Sequence, residues 1–252
     1  MIERFSVYFE PSMDERLVSV HLPEDYDGRE ERYPVMYMFD GQSAFESQSD
    51  DYDGTWNLHR FLMRWDKGMI VVALQSSGEG DRRMAEYSPY PLAKKRWAGL
   101  SARGKETIDF IAGTLKPLVD ARYRTIPTRA CTGIMGGSMG GLMSLYAVCA
   151  RNDVFSKAAC VSPALSECRE QMLDLAQQAG IDPDTRVYIS LGGAEARDRR
   201  ALERDVAQML NIACALMRKG ARVHPFLQEG GRHCEADWSA QAPSFLRFLW
   251  QE

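Results

Sequence analysis

Residues 130–148 have the sequence ACTGIMGGSMGGLMSLYAV, in which a glycine-rich break separates two apolar runs. The pattern predicts a strand that turns sharply into a helix at Gly136–Gly140, with Ser138 at the turn. The glycines have a steric reason, because side chains two residues to either side of the serine would collide as strand and helix close on each other. A serine presented in this way is a candidate nucleophile; the alternative is a glycine-rich turn with a passive serine. A phosphate-binding loop is excluded, because the required Lys-Ser/Thr pair is missing.

The composition is that of a globular protein that does not bind nucleic acid. The chain has 252 residues, of which 45% are hydrophobic and 26% charged, and a formal net charge of −4. This length can bury a sizeable core, and we expect a single domain over residues 1–252. A nucleic-acid partner would need a basic surface, whereas the short basic cluster at residues 94–96 is typical of a solvated loop.

The chain carries no pattern of export or membrane insertion. Its first residues, MIERF, include charges where a signal peptide has an apolar region, and no apolar run approaches the length of a membrane span. The six cysteines form no CxxC pair and most lie in apolar segments, which is typical of buried reduced thiols. We therefore expect a cytoplasmic protein with no membrane partner.

Strand-like and helix-like segments alternate along the chain. Strands are predicted at 4–10 and 16–22 (an antiparallel pair), 34–39, 69–74, 130–135, 157–161, 186–191 and 222–227. Helices are predicted at 54–65, 105–118, 139–151, 167–179, 199–219 (ending at Gly220) and 238–250. The alternation indicates an α/β fold with an open, doubly wound, mostly parallel sheet that opens with an antiparallel N-terminal hairpin. A ligand is then expected beyond the carboxyl ends of the strands, and the long polar stretch 75–104 is expected to be functional or disordered.

A serine nucleophile needs a base, and His233 has the most suitable position among the four histidines. It follows the last predicted strand in a glycine-containing loop, QEGGRH, that leads into the final helix. His21 lies in the opening hairpin, His59 on a helix flank, and His224 inside a strand, where an imidazole is more often structural. A zinc site is not predicted, because His224, His233 and Cys234 lack further ligands at metal spacing.

The remaining catalytic groups would be an acid and two N–H groups that donate hydrogen bonds to the oxyanion. Glu195 is the first acidic residue after the strand 186–191, and Asp198 is the alternative, although an aspartate just before a helix is most often an N-cap. One oxyanion donor would be the backbone N–H of Met139, and the other the N–H of Gln42 in the loop after the third strand. The order of serine, acid and histidine along the chain is that of α/β-hydrolases.

Several motifs together resemble a known family, the esterase D type of esterases, whose relatives include feruloyl and acetylxylan esterases, S-formylglutathione hydrolases, siderophore esterases and mycolyltransferases. The matching stretches are VMYMFDGQSAF (35–45), DYDGTW (51–56), RMAEYSP (83–89), GGSMGG (136–141), Phe155 with SPAL (162–165), and GGRHCEADW (230–238). The resemblance extends over nearly the whole chain.

This resemblance implies an α/β-hydrolase fold with Ser138 as nucleophile, His233 as base, and an oxyanion hole formed by the Gln42 and Met139 amides. It leaves the identity of the acid open between Glu195 and Asp198. The expected function is a cofactor-free serine carboxylesterase that acts on a small or medium acyl ester, with its activity falling at acidic pH. The alternatives are an acyltransferase that uses the same residues, and a non-catalytic binding module. The oligomeric state stays open, a homodimer being one option.

The segment 75–104 is expected to form a wall of the substrate pocket. Its candidate pocket residues are Arg83, Tyr87, Tyr90 and Trp97. For Arg83 and Tyr87, together with Glu86, a structural clamp on this segment is the favoured interpretation.

Overall fold

The computed structural model describes residues 1–45, 54–92, 95–97 and 99–250, which form a layered α/β structure around one mixed sheet. Its strands are β1 (Ile2–Phe9), β2 (Asp14–His21), β3 (Val35–Met38), β4 (Ile70–Leu74), β5 (Thr132–Gly137), β6 (Lys157–Val161), β7 (Arg186–Gly192) and β8 (Arg222–Gln228). Its helices are α1 (Leu58–Leu62), α2 (Arg82–Glu86), α3 (Gly104–Phe110), α4 (Lys116–Arg122), α5 (Met139–Ala150), α6 (Arg169–Gln178), α7 (Arg199–Arg218), α8 (Glu235–Ser239) and α9 (Ala242–Trp250). The positions 51–53 of the motif DYDGTW and position 94 of the basic cluster lie outside the described residues.

The sheet has the order β1-β2-β4-β3-β5-β6-β7-β8. Strand β2 is antiparallel to β1 and β4, and the pairs from β4–β3 to β7–β8 are parallel. Along β3, Val35 and Tyr37 belong to one hydrophobic core and Met36 and Met38 to another. Because side chains alternate along a strand, these two cores cover opposite faces of the sheet. The predicted fold class, with its antiparallel N-terminal hairpin, is confirmed.

The helices differ from the sequence prediction in several segments. The helix expected at 54–65 is the single short helix α1, and the segment 75–104 contains helix α2 and a 3₁₀ turn at Lys95–Trp97. The helix expected at 238–250 is divided into α8 and α9. The break contains Gln241, a buried residue whose side chain accepts a hydrogen bond from Tyr188 and donates one to Gln228. These tertiary hydrogen bonds have no signature in the apolar periodicity.

The helix expected at 105–118 continues to Arg122 through a π-helical segment at Ile111–Leu115. Pro117 follows this segment, and proline has no N–H to donate within a helix. A π-helical turn next to the proline changes the hydrogen-bond register, so that the chain continues as a helix instead of ending.

Five loops meet at one edge of the sheet, because β3, β5, β6, β7 and β8 all run in the same direction. These loops carry Gln42, Ser138, Ser162, Glu195 and His233. The edge is the one at which α/β sheets bind ligands. Within the described part of the chain, no helix has the length and apolar character needed to cross a membrane.

Candidate active site

Ser138 lies at the turn between β5 and α5 in a backbone conformation that non-glycine residues rarely adopt, with φ 56° and ψ −120°. Two of the neighbouring glycines are required by close contacts. A Cβ atom on Gly136 would lie 2.7 Å from the carbonyl carbon of Gly140, and a Cβ atom on Gly140 would lie 2.9 Å from the Cβ of Phe39. The glycines therefore allow the strand, the helix and the loop after β3 to pack closely around the serine.

The structure brings Ser138, His233 and Glu195 into one chain of hydrogen bonds. The Nε2 atom of His233 lies 2.8 Å from the Oγ of Ser138, and its Nδ1 atom lies 2.9 Å from the Oε2 of Glu195. A carboxylate can only accept, so Nδ1 carries the proton of the neutral ring and Nε2 accepts the hydroxyl proton of the serine. This tautomer is the one in which histidine can take a proton from the nucleophile.

Glu195 is held by further contacts, whereas the alternative acid, Asp198, is occupied elsewhere. The Oε1 atom of Glu195 accepts the N–H of Gly192 at 2.9 Å, and only 12% of its side chain is exposed. Asp198 is the N-cap of α7 and accepts the N–H of Ala201 at 2.8 Å, a hydrogen bond that holds the pKa of this exposed carboxyl below its ordinary value. The structure therefore pairs His233 with Glu195.

Two residues without an assigned role in the sequence analysis complete the surroundings of Glu195. Ser162 follows β6, and its hydroxyl lies 2.5 Å from the Oε1 of Glu195. Trp238 in α8 donates its indole N–H to the Oγ of Ser162 at 3.1 Å, and its ring contacts His233 edge-on at a centroid distance of 4.9 Å. Both residues stand inside the motifs SPAL and GGRHCEADW. Their position there is the only sequence signal that could have drawn attention to them.

The candidate oxyanion donors lie at the start of α5 and in the loop after β3. Met139 is the first residue of α5, and the first N–H groups of a helix have no partner within it. Gln42 lies in a 3₁₀ turn that follows Asp40, whose φ is 57°. The side chain of Gln42 exchanges hydrogen bonds with Ser76, which fixes the loop to the end of β4. The contact of Gly140 with Phe39 and Asp40 brings this loop next to the start of α5.

The clamp interpretation of residues 83–87 agrees with their contacts. The guanidinium of Arg83 donates two hydrogen bonds to the carboxylate of Asp40, and the hydroxyl of Tyr87 accepts the N–H of Asp40 at 3.0 Å. Burial raises the pKa of Tyr87 well above its ordinary value, so this hydroxyl stays protonated. Glu86 is buried in an ion pair with Arg16 of β2. Helix α2 therefore connects the N-terminal hairpin to the loop after β3.

A cavity of about 380 Å³ opens beside the serine. Ser138, Met139, Glu195 and His233 form its polar side, and Ala164, Leu165 and Leu191 are among its apolar lining residues. Arg83 lines the cavity, as the sequence predicted, and so does Arg96.

Tyr87, Tyr90 and Trp97, the other predicted pocket residues, are not among the described residues that line this cavity. Tyr87 is turned into the core, where it packs edge-on against Phe39. Tyr90 packs edge-on against Tyr146 of α5. The tertiary packing of the segment 75–104 buries Tyr87 and partly buries Tyr90, which the polar composition of the segment does not reveal.

The other histidines pack against neighbouring rings. The ring of His224 stacks on Tyr188 at 5.4 Å, and His21 is buried next to Phe45 and His59. Burial lowers the pKa of His21 to about 3, with the N-terminal ammonium acting in the same direction. The six cysteines are free thiols, and within the described ranges no cluster of three or more His, Cys, Asp or Glu side chains is suited to a metal ion.

Known proteins resemble this chain in sequence and in fold. A curated relative, the uncharacterized protein YbbA of Bacillus subtilis, is 24% identical over 219 residues, which cover 86% of this chain and 79% of YbbA. Among solved structures, an IroE-like serine hydrolase from Shewanella oneidensis has a TM-score of 0.77 at 17% identity and covers 99% of this chain and 79% of its own. The siderophore hydrolase EstB from Aspergillus nidulans has a TM-score of 0.72 at 20% identity, with 100% of this chain and 96% of its own covered.

These structural likenesses establish the fold, and the family follows from the sequence. The family described as "Putative esterase" matches residues 12–249, which is most of the chain. The match includes the strand before Ser138, the turn itself and the loop of His233. The chain therefore belongs to this esterase family, as its motifs predicted, and is a carboxylic ester hydrolase with the α/β-hydrolase fold.

Proposed function

We propose that the protein is a serine carboxylesterase that works through an acyl-enzyme on Ser138. The observation that carries the proposal is the chain of hydrogen bonds from Ser138 through His233 to Glu195, with distances of 2.8 and 2.9 Å. A serine hydroxyl is a poor nucleophile at neutral pH, and a neutral imidazole within hydrogen-bond distance provides the base that it needs.

The reaction has two half-reactions, and His233 carries the proton in both. In the first, the Oγ of Ser138 attacks the ester carbonyl while His233 takes its proton, and the leaving alkoxide then receives this proton as the acyl-enzyme forms. In the second half, His233 takes a proton from water, the resulting hydroxide attacks the acyl carbonyl, and Ser138 leaves with the proton returned by His233. Glu195 accepts the Nδ1–H of His233 throughout, so the imidazolium that forms in each half lies next to a negative charge.

The negative charge on the tetrahedral intermediates would be stabilised by the backbone N–H groups of Met139 and Gln42. Both groups lie at the start of a helical turn, where N–H groups have no intrahelical acceptor. The clamp of Arg83 and Tyr87 on Asp40 supports the second donor, because it holds the residue that opens the Gln42 turn.

The cavity supports a small or medium acyl ester as substrate. Its volume of about 380 Å³ is at the lower end of the range for small-molecule sites, about 300–1,000 Å³. Proteins with similar structures include a siderophore hydrolase, a ferulic acid esterase and an S-formylglutathione hydrolase. We therefore propose a panel of acetyl, butyryl, feruloyl and siderophore-lactone esters and a formyl thioester to define the substrate.

The nucleophile is tested with a fluorophosphonate probe and a p-nitrophenyl ester. Ser138→Ala is expected to abolish labelling and to lower kcat by at least about 10³-fold. The matched control is Ser166→Ala, because Ser166 also lines the cavity; it should keep the labelling, since Ser138 is intact. Retention of activity by Ser138→Ala would rule the proposal out. Added alcohol acceptors during turnover separate hydrolysis from acyl transfer, since a transferase forms the new ester in preference to the free acid.

A further inference from the structure

Ser162 adopts an unusual conformation directly behind the candidate acid. It is 1% exposed and has φ 44°, a value that favours glycine. Its backbone is fixed on both sides: its N–H donates to the carbonyl of Ser190 at 3.0 Å, and the N–H of Ala164 donates to the carbonyl of Ser138 at 3.1 Å. A serine kept in this backbone conformation indicates that its side chain has a specific task.

The direction of each hydrogen bond at Ser162 is determined by chemistry. The indole of Trp238 can only donate, so the Oγ of Ser162 accepts its N–H at 3.1 Å. The one proton of the hydroxyl is therefore available for Glu195, whose Oε1 lies 2.5 Å away and can only accept. Because Oε1 also accepts the N–H of Gly192, the other oxygen, Oε2, faces His233.

We propose that Ser162 is a positioning residue for the esterase reaction, with Trp238 holding its hydroxyl in the donating orientation towards Glu195. The inference rests on the proposed function and assigns the parts that orient its acid. His233 lies in a loop, and 44% of its side chain is exposed. The mostly buried, hydrogen-bonded carboxylate of Glu195 is therefore the element that keeps the Nδ1–H tautomer of His233 and its alignment with Ser138.

The first test separates the hydroxyl of Ser162 from its backbone conformation. Ser162→Ala removes the hydroxyl and keeps a side chain at positive φ, whereas Ser162→Gly removes the hydroxyl and relieves the backbone. Both variants are expected to lower kcat by about 10- to 100-fold with KM changed less than about 2-fold, the effect of losing a hydrogen bond to a charged group. If Ser162→Gly kept the wild-type kcat, the role would be steric and the proposal would be wrong.

The matched control is Ser156→Ala, at the other end of the same strand. Ser156 is buried, and its hydroxyl donates to the carbonyl of Arg129 at 2.8 Å, far from the site. It is expected to keep kcat within about 2-fold, because it removes a buried serine hydroxyl, with its hydrogen bonds to the Arg129 carbonyl and from Lys157, without touching Glu195. An equal loss of kcat in Ser156→Ala would show a general packing effect and would overturn the proposal.

Trp238→Phe tests the outer hydrogen bond, because it removes the N–H and keeps an aromatic ring beside His233. We expect a smaller decrease of kcat, about 2- to 10-fold, since a neutral hydrogen bond is weaker than one to a carboxylate. A loss larger than that of Ser162→Ala would mean that the ring acts directly on His233 and would contradict the assigned order.

The decisive measurement is a double-mutant cycle with Glu195→Gln. If Ser162 acts through Glu195, then Ser162→Ala should lower kcat much less in the Glu195→Gln background than in the wild type. A full additional 10- to 100-fold loss in that background would overturn the positioning role. Wild-type kcat in Glu195→Gln alone would instead refute the proposed acid, so the two failures are distinguishable.

Discussion

Arg83 donates two hydrogen bonds to the carboxylate of Asp40, from Nε to Oδ1 at 2.6 Å and from Nη2 to Oδ2 at 2.7 Å. Paired hydrogen bonds of this kind restrict both position and orientation. Asp40 stands in the left-handed region, two residues before Gln42. The helix α2 therefore holds the candidate oxyanion loop from outside the sheet.

The ion pair between Arg83 and Asp40 predicts matched effects of two substitutions. Arg83→Met and Asp40→Asn should each lower kcat by about 10-fold with little change in KM, because each removes the charge-assisted pair that fixes the loop. Steady-state kinetics on a neutral p-nitrophenyl ester would measure this. Arg82→Met is the control, since Arg82 is exposed and pairs with Glu79. An increase of KM in Arg83→Met alone would assign Arg83 to substrate binding instead.

The hydrogen bond of Glu195 to His233 predicts a large difference between two neighbouring acids. Glu195→Gln should lower kcat by about 10²- to 10⁴-fold, because the amide no longer selects the Nδ1–H tautomer or stabilises the imidazolium. Asp198→Asn should leave kcat and the melting temperature unchanged, since asparagine caps a helix as well as aspartate does. The opposite order of effects would move the acid to Asp198.

The contact between Gly137 and Trp238 predicts that a single methyl group disturbs the site. A Cβ atom on Gly137 would lie 2.6 Å from the Cε3 of Trp238, which itself packs against Trp56. Gly137→Ala should lower the free energy of unfolding by about 1–3 kcal/mol, as overpacking does, and should lower kcat as the indole moves.

Gly113→Ala is the matched control for that substitution. Gly113 lies in a helical segment, and its Cβ would have no neighbour within 4 Å. The substitution should raise the free energy of unfolding by about 0.5–1 kcal/mol, because alanine favours a helix over glycine. Denaturant unfolding of both variants would test the pair. Equal stability of Gly137→Ala and the wild type would contradict the close contact with Trp238.

The burial of His21 predicts a loss of stability at acidic pH. Its pKa is about 3 in the folded chain against an ordinary value of 6.5, so below pH 6.5 the unfolded chain binds a proton that the folded chain does not. The stabilising contribution is therefore complete above pH 6.5 and is lost as the pH falls from 6.5 towards 3. Between pH 7.5 and 5.0 the loss from this residue is about 2 kcal/mol.

Urea unfolding of the wild type and His21→Gln at these two pH values would measure the contribution of His21. The variant has no titrating group at this position, so its free energy of unfolding should fall less between pH 7.5 and 5.0. Its absolute stability is compared only with itself, because the substitution also changes the packing around Phe45. Equal decreases in the two proteins would assign the acid sensitivity to other groups.

The inner strands were predicted closely because their apolar runs are buried on both faces and bounded by polar loops. The run at 157–161 coincides with β6, and 186–191 with all but the last residue of β7. The helix boundaries were predicted less accurately. The apolar pattern of 238–250 continues across the break at Gln241. Pro243 has no N–H to continue the helix there, and the side chain of Gln241 is held by tertiary hydrogen bonds with Tyr188 and Gln228.

The sequence by itself determined the positions of Ser138, Glu195 and His233 at the ends of three strands, because a turn, a strand end and a loop are local features. Parallel strands then carry their loops to one edge of the sheet, so strand order alone predicts that these residues approach each other. Only the tertiary structure decided which acid pairs with His233, and that Tyr87 faces Asp40 instead of the cavity. It also decided that Ser162 and Trp238 meet behind Glu195. These contacts join residues up to 76 positions apart, and their geometry depends on how α2 and α8 pack onto the sheet, which no local pattern of the sequence encodes.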